Sequence, residues 1–261
     1  MTFSLALLGK KWGMKLKRSK LSQILAGVLV NAIYEMKNYP VVLISTVISP
    51  LSLLLVVTFV NRALFGTAIE GGLIMVFFSS GIALQSDLAH LKNDFKLQDM
   101  VVSSPTTARM YMGGMALAEI VYSLPALVIL IALAGIYLHP SLIQIAILSI
   151  VLLLMFAVSV AIGFMLSTFS SDVVQSYAFS RLLSLLFATL PPVYYPITYV
   201  PSPFNYLAYL SPTTYAAEIM HSATGYLNIS TNMIILDWVV LLGVCTVILV
   251  IAVKKTRWRD V

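Results

Sequence analysis

Three ionisable residues stand out because each lies within or beside a long apolar stretch. Asp87, Glu119 and Arg181 are separated along the chain, but each is flanked by uncharged residues. An ionisable side chain in such surroundings is costly and marks either an ion path or a paired charge. One interpretation is a proton or ion relay through the three residues. We favour the other, an interhelical ion pair of Arg181 with Glu119 or Asp87. A proton-driven transporter would carry a carboxylate at mid-membrane, and the clearest predicted span, 142–169, has none.

No sequence motif of a catalytic centre accompanies these residues. The chain has no Gly-rich phosphate loop ending in Lys-Ser/Thr, no His-Glu-x-x-His and no Gly-x-Ser-x-Gly. His90, His139 and His221 lie in different regions, and the single cysteine, Cys245, lies in an apolar run. We therefore predict no catalytic residues, no metal site and no cofactor in this chain, so any transport must draw its energy from elsewhere.

The composition predicts an all-α membrane protein. Of 261 residues, 60% are hydrophobic and 10% are charged, whereas soluble domains carry about 25% charged residues. Uncharged runs of about 20 residues span roughly 30 Å as helices, the thickness of the hydrocarbon core. The runs are continuously apolar instead of alternating, which excludes a β-barrel. The net charge is +6, and the basic residues lie beside these apolar runs, as they would beside membrane spans. We therefore expect no nucleic-acid partner.

We predict six transmembrane helices in one domain over residues 39–261. They cover residues 40–60, 71–88, 115–138, 142–169, 173–195 and 233–253. With this arrangement every one of the 16 Lys and Arg residues except Arg62 falls on one side. Because basic residues stay on the cytoplasmic side, we expect a multi-pass protein of the cell (plasma) membrane with both termini in the cytoplasm.

The segment 1–38 precedes the first predicted span and allows two interpretations. A basic block followed by an apolar stretch is typical of a signal peptide, but Asn31, Glu35 and Lys37 interrupt that stretch. Apolar residues at helical spacing from Leu21 to Ile33 favour an amphipathic helix that lies in the membrane interface. We favour the interfacial helix.

The predicted outer loop, residues 196–232, is long and apolar for a segment exposed to water. Glu218 is its only Asp, Glu, Lys or Arg residue. We expect it to fold back into the membrane as short re-entrant helices against the bundle, with Glu218 and Asp237 solvated at the outer interface. Asn228-Ile229-Ser230 is a glycosylation sequon on the predicted outer side, a weak signal.

The predicted cytoplasmic loop, residues 89–113, contains a short helical pattern. Residues 94–102 can form a helix, and Ser103-Ser104-Pro105 ends it before the third span. A short helix held between two spans can act as a lever for a partner that changes shape.

This loop resembles that of type-2 ATP-binding-cassette permeases, the drug, lipid and polysaccharide exporter family. Members carry an acidic residue, an apolar pair, Ser/Thr-Pro and a later Gly, and here Asp99, residues 101–102, Ser104-Pro105 and Gly114 match. A second match runs through the outer loop, from Pro191-Pro192 to the aromatic-Leu-Ser-Pro-Thr-Thr-Tyr stretch at 209–215. The family's frequent Gly-Thr-Leu-Glu run is replaced here by residues 96–99.

The resemblance implies the transmembrane half of an exporter. Such a subunit pairs with a second permease chain, identical or homologous, in membrane lipid, and a separate cassette ATPase binds ATP and magnesium. The residues implied in ATPase contact are Asp94, Phe95, Lys96, Leu97, Gln98, Asp99, Ser104 and Pro105. In such relatives spans one, two and five line the pathway at the dimer interface. The aromatic candidates for pathway or interface are Phe59, Phe77, Phe78, Phe179 and Phe187, for which ordinary helix packing is the alternative.

Other functions stay open at this point. An ion-coupled secondary transporter or channel would use Asp87, Glu119 and Arg181, although we find no internal repeat of the kind such transporters show. An intramembrane enzyme would need a nucleophile with a base inside the spans, which the sequence does not supply. A membrane subunit without transport activity is the third alternative.

Overall fold

A computed structural model describes residues 28, 32–38, 40–93, 108–167, 170 and 172–255. Within these ranges the chain is helical and contains no β-strand, which confirms the all-α prediction. Most of the predicted interfacial helix and the central part of the cytoplasmic loop lie outside the described residues.

The helices of the described ranges follow one another in chain order. Their bounds are α1 Tyr34–Asn38, α2 Pro40–Val60, α3 Phe65–Asn93, α4 Ala108–Tyr137, α5 Leu142–Ser167, α6 Val173–Ser184, α7 Phe204–Ala208, α8 Pro212–Ala223 and α9 Thr231–Lys255. A π-helical turn, Leu185–Thr189, continues α6, and 3₁₀ turns occur at Arg62–Leu64 and Ile197–Tyr199.

Several of these helices are suited to cross a membrane. Four segments of the described chain are long and apolar enough: Arg62–Ala89, Gly113–Tyr137, Leu142–Ser167 and Thr231–Ala252. Helix α2 adds a shorter apolar stretch, Ile44–Val60. A protein with this many apolar helices is a membrane protein, because a lipid core accepts a backbone only when its polar groups bond within the segment.

Two helix ends differ from the sequence prediction for local reasons. Helix α3 starts at Phe65, well before Gly71, because Asn61 closes a tight turn in which its side chain accepts a hydrogen bond from the backbone N–H of Ala63 at 3.0 Å. The helical turn that continues α6 ends before Pro191-Pro192, because proline has no N–H to donate the next helical hydrogen bond. The early start of α3 places Glu70 inside the helix.

Helix α3 lies at the centre of the bundle. It packs against α2, α4, α5, α6 and α8. It is the least apolar of the four candidate spans yet the most buried, whereas α9 is more apolar and the least buried. Helices that face lipid must be apolar, so polar residues concentrate on the helix that protein surrounds.

Small residues allow α3 and α5 to approach closely. A Cβ atom added at Gly81 would lie 1.9 Å from Oγ of Ser159, and one added at Gly163 would lie 2.6 Å from the carbonyl oxygen of Gly81. Oγ of Ser159 donates a hydrogen bond to the carbonyl of Phe156 at 2.9 Å. Close backbone approach through small residues is a main source of helix association in membranes.

Replacement of Gly81 by Leu should destabilise the fold. The new side chain has no space against Ser159, and overpacking of this kind costs about 1–3 kcal/mol. The measurement is the midpoint of thermal unfolding of the purified protein in detergent, followed by intrinsic fluorescence. The matched control is Gly243→Leu on α9, where an added Cβ meets no atom within 4 Å. Equal midpoints for the two variants would contradict the close contact.

Candidate functional site

A cavity of ≈ 830 Å³ lies among α2, α3, α4 and α6. Its volume is in the range of small-molecule binding sites. Hydroxyl groups dominate its polar lining. The hydroxyl-bearing residues are Ser45, Thr46, Ser49, Ser79, Ser80, Ser86, Tyr122, Ser123, Tyr177, Ser180 and Ser184. These hydroxyls give the cavity hydrogen-bonding groups that hydrocarbon lacks.

The three ionisable candidates of the sequence analysis all line this cavity. Asp87 comes from α3, Glu119 from α4 and Arg181 from α6. Glu119 is buried, Asp87 is half-buried and Arg181 is exposed. The structure therefore brings residues from three helices to one space, as an ion pair or a relay would require. Pairing of Arg181 with either carboxylate stays a prediction.

Several lining hydroxyls donate their proton to a backbone carbonyl of their own helix. Ser80 donates to the carbonyl of Phe77 at 3.2 Å, and Ser86 donates to that of Ala83 at 2.8 Å. Serines in helices commonly bond back to the preceding turn in this way. Each oxygen keeps lone pairs that can accept a hydrogen bond from a bound molecule.

The cavity continues into a polar strip on the surface of the single chain. Ser45, Ser49 and Ser52 are exposed at helical spacing on α2, and Tyr177 and Arg181 are exposed on α6. A guanidinium that faces lipid is costly. This surface is therefore unsuited to hydrocarbon and needs water or protein against it.

A second polar site lies on α8. Nδ1 of His221 on α8 and Oε2 of Glu70 on α3 are 2.5 Å apart. Both side chains are almost completely buried, at 1% and 0% exposure. Oε1 of Glu70 and Nε2 of His221 have no hydrogen-bond partner.

The sequence analysis missed this pair. It treated His221 as one of three scattered histidines and did not consider Glu70. One signal was available, because Glu70 is the only Asp, Glu, Lys or Arg between Arg62 and Asp87. A lone carboxylate in such an apolar run needs a partner.

On its other side α8 brings Glu218 close to Asp237 of α9. The two side chains are 6% and 4% exposed, so the expectation that they are solvated is wrong. The hydroxyl of Tyr209 donates to Oε1 of Glu218 at 3.2 Å. Burial, followed by the negative charge of Asp237, raises the pKa of Glu218 to about 7. α8 thus carries Glu218 and His221 one turn apart, toward different neighbouring helices.

The aromatic candidates occupy varied places. Phe59 on α2 is 85% exposed. Phe77 packs edge-on against Phe156, and the fully buried Phe78 packs against Phe187, each pair with ring centroids 6.1 Å apart. Phe179 is exposed on α6. None of the five lines the cavity, and their assignment to a pathway or dimer interface stays a prediction.

The candidate ATPase-contact residues cannot be placed in the fold. Residues 94–105, which include all eight of them, lie outside the described residues. Within the described ranges, His, Cys, Asp and Glu side chains form no group of three that could hold a metal ion.

Comparison with known proteins identifies the chain's relatives at the level of family. The family model described as ABC-2 type transporter matches residues 25–224. The match begins before α1 and extends to the residue after α8, so it includes every helix that lines the cavity. A search of curated proteins finds no match.

Replacement of Glu70 by Leu should destabilise the protein by about 3–5 kcal/mol, because it leaves His221 buried without its partner. The double variant Glu70→Leu with His221→Leu should recover much of this loss, since two apolar side chains need no partner. Thermal unfolding of both single variants and the double variant forms a double-mutant cycle. Additive losses would show that the two side chains do not interact.

Proposed function

Because the chain belongs to the ABC-2 type transporter family, we propose that it is the permease subunit of an ATP-binding-cassette exporter. It crosses the membrane six times, pairs with a second permease chain and moves its substrate outward. A separate ATPase subunit binds ATP and magnesium and supplies the energy. The observation that carries this proposal is the hydroxyl-lined cavity among four helices of an otherwise apolar bundle.

The cavity is the proposed substrate path. Moving a polar group from water into a hydroxyl-lined channel costs less free energy than moving it into hydrocarbon. The hydroxyls replace the hydrogen bonds that the group loses to water. Apolar residues such as Met75, Val76 and Leu185 also line the space. This mixture suits an amphipathic molecule.

The sequence supports an external energy source. No phosphate-binding loop occurs in the chain. The proposed ATPase contact, residues 94–105, connects the end of α3 to the start of α4. Both helices line the cavity, through Asp87 and Glu119 among others. A push on this connection would therefore move two walls of the cavity together.

The exposed polar strip supports pairing with a second permease. Ser45, Ser49 and Ser52 of α2 and Tyr177 and Arg181 of α6 form a surface that lipid would not cover at low cost. A second copy, or a close homologue, would enclose this surface and the cavity beside it. The transport path then lies between two chains, with α2, α3 and α6 from each.

The proposed topology follows from the basic residues. Arg62, between α2 and α3, is the only Lys or Arg that six spans place outside. Segment 1–38 then contains the cytoplasmic interfacial helix, and the short helices of 196–232 re-enter the outer leaflet. The chain resides in the plasma membrane with both termini in the cytoplasm.

An ion-coupled secondary transporter or channel is the second candidate. The observation in its favour is that Asp87, Glu119 and Arg181 line one cavity. Such a protein would work without a partner ATPase, which separates the two proposals experimentally.

Affinity purification from native cells in mild detergent should recover a cassette ATPase with this chain. The variant with Phe95→Ala and Asp99→Ala should lower ATPase recovery about tenfold, since two truncated anchors together cost more than 1.4 kcal/mol. The matched control is Phe204→Ala on α7, an exposed phenylalanine in the proposed outer segment, which should leave recovery unchanged.

Two results would overturn parts of this proposal. Wild-type chain without any ATPase, while other complexes stay intact, contradicts the exporter and favours the ion-coupled alternative. Equal ATPase recovery with wild type and the double variant contradicts the contact at residues 94–105.

Labelling of single cysteines tests whether the cavity holds water. In a Cys245→Ala background, Ser49→Cys in the cavity should react with a polar maleimide at least about tenfold faster than Thr246→Cys on α9, because the reactive thiolate forms in water and not in lipid. Both native side chains are exposed in the single chain. Reaction is followed by mass shift in membrane vesicles, and equal rates would contradict a water-filled path.

A further inference from the structure

Helix α8 and two helices that contact it carry buried polar groups that lack hydrogen-bond partners. Oε1 of Glu70, Nε2 of His221 and Oδ2 of Asp237 are buried and have no hydrogen-bond partner. Buried polar atoms are nearly always paired, so each exception calls for an explanation. All three belong to residues on α8 or on the helices that contact it.

Each of the two side-chain contacts of α8, His221 with Glu70 and Glu218 with Asp237, requires a proton between its two partners. His221 and Glu70 can bond at 2.5 Å only with a proton between Nδ1 and the carboxyl oxygen. Glu218 and Asp237 lie close enough to share a hydrogen bond. Two carboxylates cannot bond to each other unless one carries a proton.

We propose that α8 is a proton-dependent clamp on the outer side of the protein. One proton held between Glu218 and Asp237 fixes α8 to α9, and another held between His221 and Glu70 fixes it to α3. Loss of the Glu218–Asp237 proton sets two buried carboxylates against each other and releases α8 from α9.

The surroundings of Glu218 favour its neutral form. The titratable groups around it are Asp237 on α9, Tyr209 after α7, Tyr215 on α8 and the His221–Glu70 pair toward α3. Helix α5 and the π-helical turn also pack against α8 but carry no titratable side chain. Among the described residues, no Arg or Lys side chain contributes to the pKa of Glu218.

The pH dependence follows from the raised pKa of Glu218. Burial and the charge of Asp237 raise this pKa from 4.5 to about 7. A raised carboxyl pKa means that the packed state binds the proton more tightly than the open state. The stabilisation is therefore complete below pH 4.5 and is lost as the pH rises through about 7. An acidic exterior closes the clamp, and an alkaline exterior opens it.

The position of α8 connects the clamp to the cavity. At its start, the hydroxyls of Ser211 and Thr213 donate to the carbonyl of Phe187, in the turn that continues α6. Helices α6 and α3 both line the cavity. Release of α8 would thus loosen the outer ends of two cavity walls. This consequence for export rests on the proposed function, whereas the proton site itself does not.

Hydrogen–deuterium exchange of the purified full chain in detergent tests the clamp. After correction for the intrinsic pH dependence of exchange, the opening equilibrium of residues 212–223 should rise about tenfold between pH 6 and pH 8, from a pKa of about 7 in the packed state and 4.5 in the open state. Glu218→Gln keeps the shape and a hydrogen-bond donor for Asp237 but does not titrate. In this variant the rise should disappear.

Tyr209→Phe is the matched control. Its hydroxyl bonds to Glu218 and lowers the pKa of that carboxyl. Its removal should keep the pH dependence and move the midpoint to higher pH. If Glu218→Gln fails to fold, Asp237→Asn serves instead: it removes the charge that raises the pKa of Glu218 and should make the rise smaller.

Two outcomes would overturn the clamp: corrected exchange of 212–223 that does not change with pH, or a tenfold rise that persists in Glu218→Gln. The experiment requires neither ATPase nor substrate. A failed exporter proposal would instead show as purification without an ATPase, so the two failures are distinguishable.

Discussion

The close contact between α3 and α5 is the constraint on which the rest of the structure depends. Gly81 and Gly163 have no side chains at the point where the helices meet, so the backbone of one helix lies against that of the other. The hydrophobic effect does not drive helices together in lipid, because lipid tails are as apolar as the side chains. Close packing contacts of this kind therefore supply much of the association energy. They allow α3 to sit inside a ring of other helices, away from lipid.

A central helix surrounded by protein can carry polar groups at lower cost than a helix that faces lipid. Glu70 lies near one end of α3 and Asp87 near the other. Between them, Ser79, Ser80 and other residues of α3 face the cavity. Both polar regions of the protein, the hydroxyl-lined cavity and the buried contacts of α8, therefore depend on the same helix.

In the proposed orientation, this arrangement would connect the two sides of the membrane through α3. A movement that begins in the connection between α3 and α4 would pass along α3 to its contact with α8. Helix α6 offers a parallel route, because the turn that follows it accepts hydrogen bonds from the start of α8. The proposed ATP-driven change at the connection between α3 and α4 and the proposed proton-driven change at α8 would then act on the same cavity walls.

The sequence by itself determined the helices, because a chain this apolar satisfies its backbone only within each segment. α2 covers Pro40–Val60, where the uncharged run predicted it. The family also followed from local motifs, which are read from neighbouring residues. The start of α3 was placed too late because Gly71 was taken to mark a helix end, whereas it lies inside the helix, against the backbone of Val193 and Tyr194.

Tertiary structure alone decided which polar residues meet. Glu70 and His221 are 151 positions apart, and no local pattern predicts that they touch. Glu218 and Asp237 were expected to be solvated because the sequence places both at the outer interface, but in the fold both side chains are buried. The local sequence determines the backbone hydrogen bonds within each helix. The surroundings of a side chain depend on segments that are distant in the sequence. Those surroundings set the charge of the side chain and its role.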